Sequence, residues 1–258
     1  MDGYYELSKE MRIKLLTFVV VGLIASINLH AASYLPLSKT YNGQLPAEFI
    51  SAEASGIQAT DGSVSVTVPS GTDTIVVVAS GYRGTGNELI ETLNFDNSGL
   101  DFTNIINQRW NGTNTGKTLY AAYIQEGDTG WPGTGAKTLY FGAANGIDEG
   151  IHYELVYLKN IDGTTPVVDS LSYDVYNDDR TINLTGVGSN DITFIIGRSY
   201  GVGPNVDPAA SGQTAIIESS VENSDSISVG YEVGEGSPTI GIVSGSLYIG
   251  AAFSMKSQ

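Results

Sequence analysis

The chain has 258 residues, with 12 basic and 28 acidic side chains and a formal net charge of −16 at pH 7. This charge disfavours nucleic acid and anionic membrane surfaces as partners, because both need clustered lysine and arginine. Cysteine is absent, which excludes disulfides, thiolate zinc sites, a cysteine nucleophile and lipidation at cysteine. The 32 glycines and the low charged fraction of 16% indicate a turn-rich, all-β globular protein.

Residues 1–33 are predicted to be a short N-terminal extension followed by a helical signal peptide. Arg12 and Lys14 precede an apolar run from Leu15 to Ile27, and small residues up to Ser33 would permit cleavage. A membrane anchor is the alternative, but polar residues shorten the apolar run below the length of a span. The sequence therefore predicts a secreted or cell-surface protein, with the periplasm as an alternative, and no membrane span after processing.

Residues 34–258 are predicted to form one antiparallel β-sandwich of about a dozen strands, because short apolar or alternating runs recur between Gly, Asn, Asp and Pro turns. Two runs, Thr74–Ala79 and Ile192–Arg198, are apolar on both faces, which predicts central strands that are covered on both sides. The polar stretch Asn104–Thr115 is predicted to be a loop. No stretch reads as a linker.

Three segments resemble a β-sandwich module that recurs in exported and cell-surface bacterial proteins. They are DTIVVVAS at Asp73–Ser80, LVYLKNIDGTTPVVDS at Leu155–Ser170 and SLYIGAAFSMK at Ser246–Lys256. Tyr248 stands at the aromatic position of the closing strand, and Asp162 to Pro166 match the mid-domain turn. The resemblance implies a jelly-roll-like sandwich and an extracellular setting, and it implies no catalytic residues.

The weak catalytic candidates are Glu91, Glu154 and His152. Alternation from Ile151 to Leu158 predicts a strand that carries His152 and Glu154 on one face, and we expect both side chains to be at least half exposed. A Ser-His-Asp site is disfavoured because His152 is the one histidine beyond the leader. Glu91 and Glu154 on one concave sheet face would suit glycoside hydrolysis, although solvated carboxylates are the simpler interpretation.

Calcium is the one cofactor that the acidic turns suggest, since it prefers oxygen ligands. The weak candidate ligands are Asp174, Asn177, Asp178 and Asp179, with a second cluster at Asp96, Asn97 and Asp101. Neither cluster has the spacing of a calcium-binding loop, and such residues are ordinary in β-turns. The sequence therefore predicts no cofactor, with Ca²⁺ as the alternative.

Two tryptophans in glycine-rich surroundings are the main candidates for ligand binding. Trp110 and Trp131 could stack on sugar rings if loops at one end of the sandwich bring them together. The residues that would complete such a site are Arg109, Asn111, Asp128 and Tyr82. The alternative is that each indole covers an open end of the core.

The leading functional prediction is an exported, non-catalytic protein that binds glycans or mediates surface adhesion. One alternative is a structural subunit of an extracellular matrix or filament, which self-associates through strand edges. Another is a polysaccharide-cleaving enzyme on a lectin-like sandwich.

Overall fold

A computed structural model describes residues 44–54, 61–83, 90–95, 101–110, 116–143, 151–176, 180–200, 212–221, 225–240 and 247–258. The predicted leader lies outside these ranges. All regular secondary structure within them is β-strand, which confirms the all-β prediction. No helix in the described ranges has the length and apolarity to cross a bilayer.

Fifteen strands fall within the described residues. The first eight are β1 (Glu48–Ala54), β2 (Asp61–Val68), β3 (Thr74–Arg83), β4 (Ile90–Asn94), β5 (Thr103–Trp110), β6 (Gly116–Gln125), β7 (Gly135–Ala143) and β8 (Ile151–Lys159). The remaining seven are β9 (Val167–Tyr176), β10 (Arg180–Thr181), β11 (Ile192–Tyr200), β12 (Thr214–Val221), β13 (Asp225–Val233), β14 (Thr239–Ile240) and β15 (Leu247–Met255).

The strands form three main antiparallel sheets. The central sheet has the order β1-β8-β3-β6-β5, the large outer sheet β12-β13-β11-β15-β9 and the small outer sheet β2-β7-β4. The two-residue strands β10 and β14 pair separately. Strands β3 and β11 are each the middle strand of a five-stranded sheet, as their apolar runs predict.

Both faces of the central sheet are covered, because its strands are apolar on both sides. Val76 and Val78 of β3 pack in one core with Phe194 and Phe253 of the large outer sheet. The alternate residues of β3, with Leu139 of the small outer sheet, belong to a second core. The sequence predicts a sandwich of two layers, and the structure adds the small outer sheet as a third. We call the space between the central and large outer sheets the interlayer.

The polar stretch predicted to be a loop is largely strand β5, which forms one edge of the central sheet. The register shifts between Asn104 and Ile106 at a β-bulge. A bulge interrupts the period-two alternation by which a strand is recognised in sequence. This interruption, together with the polar composition expected at an exposed edge, explains why the loop prediction was wrong.

The two ends of the described unit meet. The amide of Leu45 donates to the carbonyl of Gln258 at 2.8 Å, and the amide of Gln258 donates to the carbonyl of Asn160 at 2.8 Å. An isolated bridge joins Ile161 to Ser257. The last residues are therefore held against the segment that precedes β1.

Candidate functional site

Two of the sequence candidates, His152 and Glu154, lie on β8 and point into the interlayer. Val156 and Leu158, on the same face of β8, belong to the interlayer core, whereas Tyr153 and Leu155 belong to the core on the other side of the central sheet. Side chains alternate along a strand. His152 and Glu154 therefore extend the interlayer face of β8 towards one end of the sandwich.

Neighbouring strands add polar groups at this end. Ser80 of β3 pairs with His152, and it pairs on its other side with Leu119 of β6. Leu119 in turn pairs with Gln108 of β5. Gln108 Oε1 accepts a hydrogen bond of 2.8 Å from Ser172 Oγ of β9. This bond crosses the interlayer and joins the edges of the two large sheets.

Arg198 of β11 comes to the same end from the opposite sheet. Phe194 and Ile196 of β11 face the interlayer core, so Arg198 continues their face. The ring of Phe49, which pairs with Leu158, stacks on the ring of Tyr231, which pairs with Phe194. The positions of Leu158 and Phe194 therefore lie across the interlayer from each other.

Glu154 lies four residues from Leu158 along β8, and Arg198 lies four residues from Phe194 along β11. We call His152, Glu154 and Arg198 the interlayer polar cluster. The exposed fractions of Glu154, Arg198 and His152 are 0%, 2% and 5%. The expectation that His152 and Glu154 are half exposed is therefore wrong, because the large outer sheet covers their face of β8.

Burial changes the charge states within the cluster. Desolvation raises the pKa of Glu154 from 4.5 to about 8. Desolvation first, and the charge of Arg198 second, lower the pKa of His152 from 6.5 to about 4. Neither carboxylate oxygen of Glu154 has a hydrogen-bond partner among the described residues. At pH 7 the cluster therefore holds a protonated carboxyl, a neutral imidazole and a charged guanidinium.

A carboxyl that is protonated at neutral pH is a proton donor in principle, but Glu91, the second carboxylate predicted for glycoside hydrolysis, is not beside it. Glu91 lies on β4 in the small outer sheet. Glu154 points to the other side of the central sheet, into the interlayer. The structure therefore does not bring Glu91 and Glu154 to one concave face.

The two tryptophans lie at opposite ends of β6. Trp110 pairs with Lys117 near the start of β6. The amide of Trp131 donates to the carbonyl of Asp128, and the amide of Asp128 donates to the carbonyl of Gln125, the last residue of β6. Eight residues of strand between Lys117 and Gln125 span roughly 27 Å. The predicted site with both indoles at one end is therefore not assembled.

Trp131 has a packing role, because its partly buried side chain lies against the core between the central and small outer sheets. Asp128 Oδ2 accepts a hydrogen bond of 2.8 Å from the amide of Gln125. Both residues thus belong to the β6–β7 connection and to its attachment at the end of β6. This placement agrees with the alternative that the indole covers an open end of the core.

Other members of the predicted glycan site do share an end. Tyr82 of β3 pairs with Lys117, which pairs with Trp110. Tyr82, Lys117 and Trp110 therefore occupy one row across three adjacent strands, and we call these positions the aromatic row. They lie two residues beyond Ser80, Leu119 and Gln108, at the end that holds the polar cluster. Arg109 pairs with Thr118, one residue from this row, and Asn111 lies outside the described residues.

The metal candidates are not assembled into a site in the described part of the chain. Asp174 lies on β9, where its position pairs with Ile249, and Asn177, Asp178 and Asp179 are outside the described residues. No group of three or more His, Asp or Glu side chains that could hold a metal ion occurs among the residues the structure describes.

A cleft of about 380 Å³ lies near the C-terminal segment, and its lining includes Asp191, Lys256 and Ser257. Its charged side chains, Asp191 and Lys256, are already paired. Asp191 accepts hydrogen bonds from the amide of Gly188 at 2.7 Å and from the amide of Ser257 at 2.8 Å. Lys256 forms an ion pair of 2.9 Å with Asp162. The charged groups of the lining are therefore engaged within the protein.

Comparison with known proteins adds little to this picture. No protein-family model matches the chain, and no curated protein gives a significant match. One solved structure that it resembles is described as "Crystal structure of PBSX exported protein XepA", with 12% identity, coverage of 85% of this chain and 88% of that chain, and a TM-score of 0.19. A likeness at that score carries no argument about fold or function. The bacterial sandwich module remains a resemblance.

The sequence interpretation did not include Arg198, Ser80 or Gln108 in any site. Arg198 carried the clearest signal, because it ends an apolar run, ITFIIGR, that was predicted to be buried on both faces. A charged residue that continues the face of a central strand must either leave the core or be buried with it. Ser80 and Gln108 could not be found in this way, because their place depends on strand register.

Proposed function

We propose that the chain is an exported, non-catalytic protein that binds a carbohydrate at the end of the sandwich that carries the aromatic row. The observation that supports this proposal is the register that aligns Tyr82, Lys117 and Trp110 across three adjacent strands. Aromatic rings and hydrogen-bonding side chains are the groups that recognise sugars. Export is supported by the leader pattern of residues 12–33.

The placement of the carboxylates favours binding over cleavage. A retaining or inverting glycosidase needs two carboxyl groups across one bond. Of the candidate pair, Glu91 lies on the small outer sheet and Glu154 on the interlayer face of the central sheet. Trp131, the second tryptophan, packs against the core between the central and small outer sheets. Tyr82 and Trp110 are thus the two members of the predicted glycan site that share the aromatic row, with Lys117 between them.

We expect Trp110→Ala to abolish retention in native gels that contain the bound polysaccharide, which an initial glycan array would identify. Trp131→Ala is the matched control, since it removes the other indole from the opposite end of β6. It should lower the melting temperature, because it removes a side chain packed against the core, and it should leave retention unchanged. Wild-type protein that shows no binding, or retention that depends on Trp131 and not on Trp110, would reject the proposal.

A further inference from the structure

The interlayer polar cluster lies at the contact between two sheets. Its members come from β8 of the central sheet and β11 of the large outer sheet, and all are at most 5% exposed. The rest of the interlayer on these strands is apolar, with Val156, Leu158, Phe194 and Ile196 fully buried. On the described interlayer faces of β8 and β11, carboxyl, imidazole and guanidinium groups are therefore confined to one end.

Burial is the cause of the raised pKa of Glu154, and the charge of Arg198, which acts on His152, does not offset it. Both of its oxygens are buried without a hydrogen-bond partner among the described residues, and its neighbours across the sheet are Val78 and Ala54. Isolated carboxylates in an apolar environment are strongly destabilised relative to water. Separation of the sheets at this end would hydrate the carboxylate and remove that cost.

Other titratable residues have backbone positions at the same end by register. Within the cluster these are His152 on β8 and Arg198 on β11. The strand positions that continue the interlayer faces beyond the cluster are Tyr82 on β3, Lys117 on β6, Asp174 on β9, Tyr200 on β11 and Asp225 on β13. The described strand positions beside Glu154 on β1 and β3 carry no charge.

We propose that the cluster is a pH-sensitive closure that holds the central and large outer sheets together at one end and releases them as Glu154 ionises. At the opposite end of the same interlayer Phe49 stacks on Tyr231 at a centroid distance of 4.7 Å. That end carries no carboxyl or imidazole on the described interlayer faces of β8 and β11, and it stays closed. The fold thus provides local opening in response to pH without loss of the whole structure. This inference does not depend on carbohydrate binding.

The direction of the response follows from the two pKa changes. The pKa of Glu154 in the folded state is raised from 4.5 to about 8, so its contribution to closure is complete below pH 4.5 and is lost as the pH rises towards 8. The pKa of His152 is lowered from 6.5 to about 4, so its contribution is complete above pH 6.5 and is lost as the pH falls towards 4. Between pH 4.5 and 6.5 the two effects oppose each other, and from 6.5 to 8 Glu154 acts alone.

The test is amide hydrogen exchange on the full chain at pH 6 and pH 8.5, with protection factors normalised to the intrinsic exchange rate at each pH. We expect protection to fall at least about tenfold at pH 8.5 around residues 152–154 and 196–198. Protection around Leu158 and Phe194 should change much less. Equal loss at both ends, or no loss at either, would overturn the proposal even if no variant could be prepared.

Glu154→Gln removes the titrating group and keeps the size of the side chain, so its protection near residue 154 should be independent of pH from 6.5 to 8.5. The control is Glu53→Gln. Glu53 lies on the same sheet, and its carboxylate accepts hydrogen bonds from Tyr157 Oη at 3.1 Å and the amide of Thr67 at 3.2 Å. This control should keep the wild-type response. A Glu154→Gln variant that folds and still loses protection at pH 8.5 would contradict the assignment to Glu154.

Discussion

At the scale of single residues, buried carboxylates have two different roles in this protein. Glu154 is buried without a hydrogen-bond partner among the described residues. Asp191 is 4% exposed, yet its carboxylate accepts hydrogen bonds from Gly188 and from both the amide and the hydroxyl of Ser257. A buried carboxylate with three donors stabilises the structure around it, because those donors would otherwise lose their partners.

We therefore expect Asp191→Ala to lower the free energy of unfolding by about 2–4 kcal/mol, since it leaves buried donors of the C-terminal segment without an acceptor. The control is Lys256→Ala, which removes an ion pair whose side chains are 38% and 22% exposed. Exposed pairs contribute about 0–1 kcal/mol. Urea unfolding of both variants measures the difference, and equal losses would contradict the role given to Asp191.

At the scale of elements, the β6–β7 connection is shaped by glycines with a positive φ angle. Gly130 has φ +83°, and a side chain at this position would overlap the Asp101 carboxylate. Gly127 has φ +98° and no atom near the position of a Cβ. The connection is therefore constrained at Gly130 by both conformation and space, and at Gly127 by conformation alone.

Gly127→Ala should cost about 1 kcal/mol of stability, which is the usual penalty for an L-residue in the left-handed region. Gly130→Ala should cost about 1–3 kcal/mol more, because Asp101 must also move. Thermal unfolding of the two variants provides the comparison. A Gly130→Ala variant as stable as Gly127→Ala would show that Asp101 relaxes without cost.

Sequence patterns correctly predicted the strands whose two faces are both buried in an apolar core. The runs at Thr74 and Ile192 are apolar on both faces, and both strands are central. Strand β5 was missed because a bulge and polar residues hide its alternation. The burial of Glu154 could not be predicted, because it depends on which sheet covers β8, and sheet packing joins residues that are far apart in sequence. The separation of the two tryptophans could not be predicted either, because it depends on the strand register.

At the scale of the whole molecule, the central sheet couples the two cores on its faces. Strands β3 and β8 contribute alternate residues to both, for example Val156 to the interlayer and Leu155 to the other side. A change in one core therefore acts on strands that also form the other. The described sheets should unfold as one cooperative unit.

Phe253→Ala tests this coupling, because Phe253 is fully buried in the interlayer and stacks on Phe194 at a centroid distance of 5.1 Å. We expect a loss of about 3–5 kcal/mol. The same shift should appear in circular dichroism and in the fluorescence of Trp131, which lies against the other core; Trp110→Phe would isolate that signal. Leu139→Ala, on the Trp131 side, is the reciprocal variant. A Trp131 transition that does not move in Phe253→Ala would show that the cores unfold independently.

The meeting of Leu45 with Gln258 has a mechanical consequence. Tension applied between these two residues would first load their own hydrogen bond, and then the bonds that hold Gln258 to Asn160 and Ser257 to Asp191. Beyond that segment the force would reach β15, an inner strand of the large outer sheet whose Phe253 is fully buried, and the packed layers would then resist. A pulling experiment through these two attachment points should accordingly record a small early yield of the end segment before the main unfolding event.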